Sequence, residues 1–109
     1  MYLIKTKIDN GYIIKINLKR LDGVAAREIQ HEINAILEKE PALLVLNLEE
    51  VDYMASFALS IIVQTNKKMK AANGNLRLCC ANDLLLEVLK ASKLDQIVDL
   101  YESEEKALA

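Results

Sequence analysis

Ser56 is the side chain best placed for chemistry in this 109-residue chain. An apolar run, Leu43 to Leu48, leads into the corner Val51-Asp52-Tyr53-Met54-Ala55, and an amphipathic segment leaves it from Phe57 to about Ala72. A hydroxyl where such a helix begins can act as an N-cap, accepting a backbone N–H for about 1 kcal/mol. The same helix end offers unpaired N–H groups and the positive pole of the dipole, so it suits attachment or recognition of a phosphate. Glu49, Glu50 and Asp52 crowd the end of the preceding run. Paired carboxylates can exchange protons with a substrate, but three acids with no pocket marked around them read as a solvated loop.

The remaining reactive side chains form no catalytic set. His31 stands between Gln30 and Glu32 on a helical segment, with no Ser or Cys nucleophile placed near it by any recognisable pattern, and reads as a surface residue. Cys79 and Cys80 are adjacent in a strand-like stretch, where neighbours point to opposite faces. A disulfide between them would be strained, and with no other cysteine and one distant histidine they make no metal site. They are expected to be ordinary reduced thiols. Glycines 11, 23 and 74 form no phosphate-binding loop. Tyr2, Tyr12, Tyr53 and Tyr101 are dispersed at strand ends and read as sheet-rim packing. The expectation is a protein that is not an enzyme and carries no cofactor and no metal.

Composition bounds the partners. Hydrophobic residues make up 52% and charged residues 28%, enough for one core and too ordered a mixture for disorder. The net charge of −2 favours neither nucleic acid nor an acidic membrane. No apolar run approaches the roughly 18–20 residues that span a bilayer, and the first seven residues alternate instead of forming a signal-peptide core. One domain over residues 1–109, without membrane insertion and in the cytoplasm, is the expectation. Oligomeric state is left open.

The elements that must position Ser56 follow from periodicity. Residues 2–8 and 12–18 alternate, with Ile4, Ile8, Ile14, Ile16 and Leu18 at even positions and Lys5, Lys7, Lys15, Asn17 and Lys19 between them. Asn10-Gly11 separates the runs as a hairpin signal, so two antiparallel strands with one wet face are expected. Ile29, Ile33, Ile36 and Leu37 give residues 24–39 a helical stripe, with Asp22 as its cap. Leu43 to Leu46 has no alternation, as in a central strand covered on both faces. A helix from Ser56 to Ala72 ends basic at Lys67, Lys68 and Lys70. Then come a strand over 76–80, a helix from Leu84 to about Ser92 capped by Asn82-Asp83, a strand over 97–101 and a short helix from Ser103. This order predicts an α/β domain whose mixed sheet is parallel inside and antiparallel at one edge.

At the corner the chain resembles the STAS domain family, and within it the bacterial anti-sigma-factor antagonists. The stretch LVLNLEEVDYM, Leu44 to Met54, is similar to the family's central strand, and ANDLLLEVLKASKLDQIVDLYESEEKALA, Ala81 to Ala109, to its third helix, last strand and acidic terminal helix. The resemblance implies a STAS-like sheet with about four helices packed mainly on one face. The family's corner motif, Asp-Ser-Ser/Thr-Gly-Leu-Gly, aligns with Ala55-Ser56-Phe57-Ala58-Leu59-Ser60. Ser56 then takes the position of the serine that a partner kinase, itself the anti-sigma factor, phosphorylates. Asp22 falls where the family has a loop acid beside the corner, and Asp22, Asp52, Ser56 and Phe57 are the docking candidates. Added phosphate would bring about −1.5 to −2 charges into an acidic setting of Asp22, Glu49, Glu50 and Asp52, and release the partner. Ala55, Phe57 and Ala58 depart from the motif. Phe57 is left open between a buried ring and an exposed docking contact. The departures keep a second reading in play, a STAS subunit of a lipid-transporting ABC system or signalling assembly that is not phosphorylated. A third is a module that binds a nucleotide or other ligand near the corner.

Overall fold

Alternation in the first two segments produces a hairpin in the computed structural model, which describes residues 3–109. Strand β1 (Leu3–Ile8) pairs antiparallel with β2 (Gly11–Ile16); Tyr2 lies outside the described residues. Ile8 faces Gly11 in the register, so the two-residue loop is Asp9-Asn10, one position earlier than the Asn10-Gly11 expectation. Gly11 serves close packing instead: a Cβ there would sit 1.7 Å from the Leu43 carbonyl oxygen. Asn10 also accepts the N–H groups of Ala42 and Leu43 at 2.9 and 3.0 Å. Backbone contact of this kind anchors the hairpin to the next strand.

That strand, β4 (Leu43–Asn47), pairs parallel with β2 on one side and with β6 (Asn75–Cys79) on the other, and β6 pairs parallel with β7 (Asp99–Tyr101). The five-stranded order is β1-β2-β4-β6-β7, an antiparallel edge on a parallel interior as expected. A separate parallel pair joins β3 (Arg20–Leu21) to β5 (Tyr53–Met54). Helices α1 (Gly23–Leu37), α2 (Ser56–Ala71), α3 (Asp83–Ala91) and α4 (Glu104–Leu108) complete the chain.

Because strand side chains alternate, each sheet face is a distinct set. Ile14, Ile16, Leu44, Leu46, Leu76 and Leu78 form the main core with Ala26, Ile29, Ile33 and Ile36 of α1, Ile61, Ile62 and Met69 of α2, and Leu85 and Leu89 of α3. Three of the four helices thus cover one face. The second face carries Ile13, Leu43, Val45 and Cys79 under Ala107 of α4. The expected wet face of β2 is therefore covered as well, because the tail returns across it. Ser103 caps α4 by accepting the Lys106 N–H at 3.1 Å, Arg77 donates to the Ala107 carbonyl at 2.6 Å, and Asn47 donates to Glu104 at 2.5 Å. These polar ties hold a helix of five residues that could not persist alone.

Two features differ from the sequence reading, one in position and one in facing. Residues 94–96 form a 3-10 turn, entered through Lys93 at φ 63°, which delays β7 to Asp99. On β1 the apolar and charged faces are exchanged relative to the expectation. Leu3 joins the main core and Ile4 is 51% exposed, while Lys5 reaches Glu32 of α1 at 3.5 Å. A charged side chain on the inner side of an edge strand discourages further strand pairing.

Candidate functional site at the strand–helix corner

The corner is built by the small β3–β5 pair. The Lys19 carbonyl accepts the N–H groups of Asp52 and Tyr53 at 2.7 and 3.1 Å, and the Leu21 carbonyl accepts that of Ala55 at 3.0 Å. This ladder brings Asp22, the residue entering α1, alongside the segment that enters α2. Asp22 stands at the N-cap position of α1, but its side chain makes no capping bond. Its carboxylate lies 3.6 Å from the Arg20 Nε and is 47% exposed.

Ser56 is not the cap of α2. Ala55 holds that position with extended backbone (φ −73°, ψ 165°), and its carbonyl accepts the Leu59 N–H to start the helix. The register is set by Met54, whose side chain is buried in the core, and by the Ala55 N–H tied to Leu21. Ser56 is consequently the first helical residue, exposed, with its hydroxyl released from capping. Ala58 is buried one turn in, and Ser60 turns its hydroxyl back to the Phe57 carbonyl at 2.6 Å.

Asp52 is held from the other side. Its Oδ1 accepts from the Asn82 Nδ2 at 2.7 Å, while Asn82 Oδ1 accepts the Leu85 N–H at 2.8 Å and caps α3. One amide side chain thereby locks the corner to the third helix. Phe57 is resolved in favour of exposure: its ring is 37% accessible and lies under the Arg27 guanidinium, 5.4 Å from centroid to Cζ. Tyr53, 39% exposed, lies similarly under Arg20 at 4.4 Å. Arginine–aromatic pairs of this kind rigidify a surface while leaving polar edges free.

Asp22, Asp52, Ser56 and Phe57 are therefore brought to one corner. Arg20, Arg27 and Tyr53 were missed by sequence reasoning. Arg20 meets Tyr53 only because β3 and β5 align them in register, and no local spacing signals that. The expected ring of like charge needs correction too, because Arg20 and Arg27 stand among the acids. Glu49 turns instead to Lys15 at 3.0 Å, and this hydrogen bond and the charge of Glu49 hold the lysine above its ordinary pKa. A groove of about 680 Å³ between β1 and α1 is lined by Leu3, Lys5, Arg27, Glu32 and neighbours, His31 among them, and includes none of the four corner candidates. Among the described residues no three His, Cys, Asp or Glu side chains group to hold a metal ion. No described helix is long and apolar enough to cross a membrane.

Comparison with known proteins decides the family. The model of the STAS domain matches residues 2–107. The chain belongs to the STAS domain family. This STAS domain is 28% identical over all 109 residues to a Bordetella bronchiseptica protein, BtrV, assigned by name to the anti-sigma factor antagonists, and covers 93% of it. Its fold matches that of an anti-sigma factor antagonist from Mycobacterium paratuberculosis with a TM-score of 0.87 at 22% identity, covering 97% of this chain and 89% of the other. It also matches the antagonist SpoIIAA in its unphosphorylated form, with a TM-score of 0.83 at 18% identity over 97% and 92% of the two chains. The phosphorylated form of the same Bacillus protein aligns with a TM-score of 0.75, at 18% identity over 97% and 96%.

Proposed function

We propose that this STAS domain is an anti-sigma factor antagonist that acts in the cytoplasm by docking its corner to a serine-kinase anti-sigma factor, and that Ser56 is the phosphorylated residue. The observation that carries this reading is the exposed Ser56 hydroxyl on the first residue of a 16-residue helix, with capping left to Ala55. A kinase can reach such a hydroxyl without unwinding the helix. The phosphate would meet the N-terminal dipole of α2, so the fold should tolerate it. SpoIIAA, which shares the fold, exists in phosphorylated and unphosphorylated forms, and BtrV carries the antagonist name.

Docking would use the exposed face made by Asp22, Asp52, Ser56 and Phe57, with Tyr53 beside them. Aromatic and arginine side chains are the usual energetic centre of a protein interface. Placing about −1.5 to −2 charges in the middle of that face changes its complementarity to the partner far more than it changes the fold, so partner release is the output.

The test uses the full chain, the cognate kinase and ATP, with phosphate mapped by mass spectrometry. Incorporation at Ser56, lost in Ser56→Ala, supports the switch. No incorporation at Ser56 from a kinase active on another substrate sinks it. One observation favours a second reading: Ala55, held extended at the cap, supplies no carboxylate beside Ser56. A STAS subunit that docks without phosphorylation, in an ABC lipid transporter or a signalling assembly, would tolerate that loss. Recovery of an ATPase subunit instead of a kinase in a pull-down decides for it.

A further inference from the structure

The two cysteines do not behave as strand neighbours. Cys79 ends β6 and is buried on the second sheet face with Val45, Ile13 and Ala107. Cys80 would point to the opposite face if the strand continued. Instead its backbone is left-handed, φ 68°, a conformation that side-chain-bearing residues rarely adopt. Its N–H still extends the ladder to the Tyr101 carbonyl at 3.0 Å, and its side chain packs against the same cluster as Cys79. The two sulfurs lie 3.2 Å apart, with the Cys80 thiol directed at the Cys79 sulfur. The expectation of opposed thiols is thereby corrected: a strained φ turns both onto one side. Strain of this kind gathers at functional positions.

We propose that Cys79 and Cys80 form a redox-modification site, a dithiol that a low-molecular-weight disulfide oxidises reversibly to a vicinal disulfide, displacing the Asn82–Asp52 hydrogen bond at the corner. Cys80 is partly exposed and attacks first. Its thiolate displaces one thiolate from the oxidant and leaves a mixed disulfide. The Cys79 thiol then gives up its proton and attacks the Cys80 sulfur, expelling the second thiolate. Both cysteines are oxidised, the oxidant is reduced to two thiols, and the two cysteine protons end on the leaving thiolates. Burial and the contact with Cys80 push the Cys79 thiol well above its ordinary pKa, so closure is the slower step and quickens as pH rises. Closing the sulfurs to about 2.05 Å needs about 1 Å of movement. Adjacent Cα atoms are only about 3.8 Å apart, short of the usual disulfide span of about 4.4–6.8 Å, so the ring is strained and readily reduced.

The consequence travels a short distance. Two residues beyond Cys80, Asn82 both caps α3 and holds Asp52. Ring closure must reset the φ and ψ angles of Cys80 and so redirect Ala81 and Asn82.

The experiment titrates the reduced full chain with oxidised glutathione and follows it by peptide mass spectrometry without reductant. The expected product is a monomer lacking two hydrogens, with no retained glutathione, both thiols closed to alkylation together, and full recovery in dithiothreitol. Cys79→Ala should instead keep a stable glutathione adduct on Cys80, and Cys80→Ser should stay unmodified at Cys79. A lasting adduct on the unaltered chain, a disulfide-linked dimer, or no reaction overturns the proposal, and these outcomes are read on the unaltered protein whether or not the variants fold. Backbone amide shifts of Asp52, Asn82 and Leu85 should move on oxidation. Unchanged shifts in the oxidised protein overturn the transmission to the corner.

Discussion

At the scale of single residues, the corner separates two duties that a helix start often combines. Ala55 takes the capping position and Ser56 the exposed one. Ser56→Ala should leave stability within about 0.5 kcal/mol, as expected for a surface change away from caps and cores, while removing phosphate incorporation. Urea denaturation and phosphate mapping read the two effects separately. Phe57→Ala should cost about 1–2 kcal/mol in urea unfolding, since about two thirds of the residue is covered and Arg27 loses its ring, and should still leave the fold intact. It should weaken partner binding by about 2 kcal/mol if the ring is an interface anchor. Calorimetric titration against the purified partner checks this, and an unchanged affinity would remove Phe57 from the docking surface. The position of Ser56 in sequence was legible from the strand-to-helix transition. Its place one residue inside the helix was not, because the cap is chosen by the Leu21–Ala55 bond between distant segments.

At the scale of elements, Asn82 is the joint between α3 and the corner. Asn82→Ala removes the α3 cap and leaves Asp52 without its amide donor. A loss of about 1–2 kcal/mol is expected from the cap alone, measured by denaturant midpoint. Asp83→Asn, a neighbouring change that spares both bonds, should cost less. The terminal helix gives a pH-dependent prediction. Lys106 lies 2.9 Å from Glu102, and its hydrogen bond and charge hold that carboxyl below the usual glutamate range. A depressed folded-state pKa stabilises above the unfolded value and is lost as pH falls through the folded one. Acidification through and below the ordinary carboxylate range should therefore loosen α4 before the main core, seen as faster hydrogen exchange at Ala107 with the β4 amides still protected. Both sites are solvent-exposed, so high salt should weaken the effect. The helices and central strands were readable from periodicity. The covered second face of β2 was not, since its lid is a short tail helix from the far end of the chain.

At the scale of the whole molecule, the antiparallel hairpin joins the parallel interior through the β2–β4 ladder, which is tightest where Gly11 meets Leu43. Gly11→Ala would drive a Cβ into the Leu43 carbonyl. Separation of β2 from β4 would follow, and the core between them would open. A loss above about 3 kcal/mol, in the range of severe packing changes, is expected by thermal or urea unfolding, whereas Gly23→Asn, in open space at positive φ, should cost far less. A normal midpoint for Gly11→Ala would show that the strands can shift apart without penalty.

The sequence by itself determined what depends on neighbours in the chain: alternation in β1 and β2, the apolar run of β4, the helical stripes of α1 to α3, and a hydroxyl at the strand–helix corner. It also carried the STAS resemblance that the comparisons bear out. Only the tertiary structure decided which distant segments meet. It set Arg20 over Tyr53 and Arg27 over Phe57, passed the cap from Ser56 to Ala55, covered the second sheet face with α4, and turned the thiols of Cys79 and Cys80 together. Each of these rests on a contact between residues remote in sequence or on a backbone angle imposed by such contacts, and local periodicity contains no information about either.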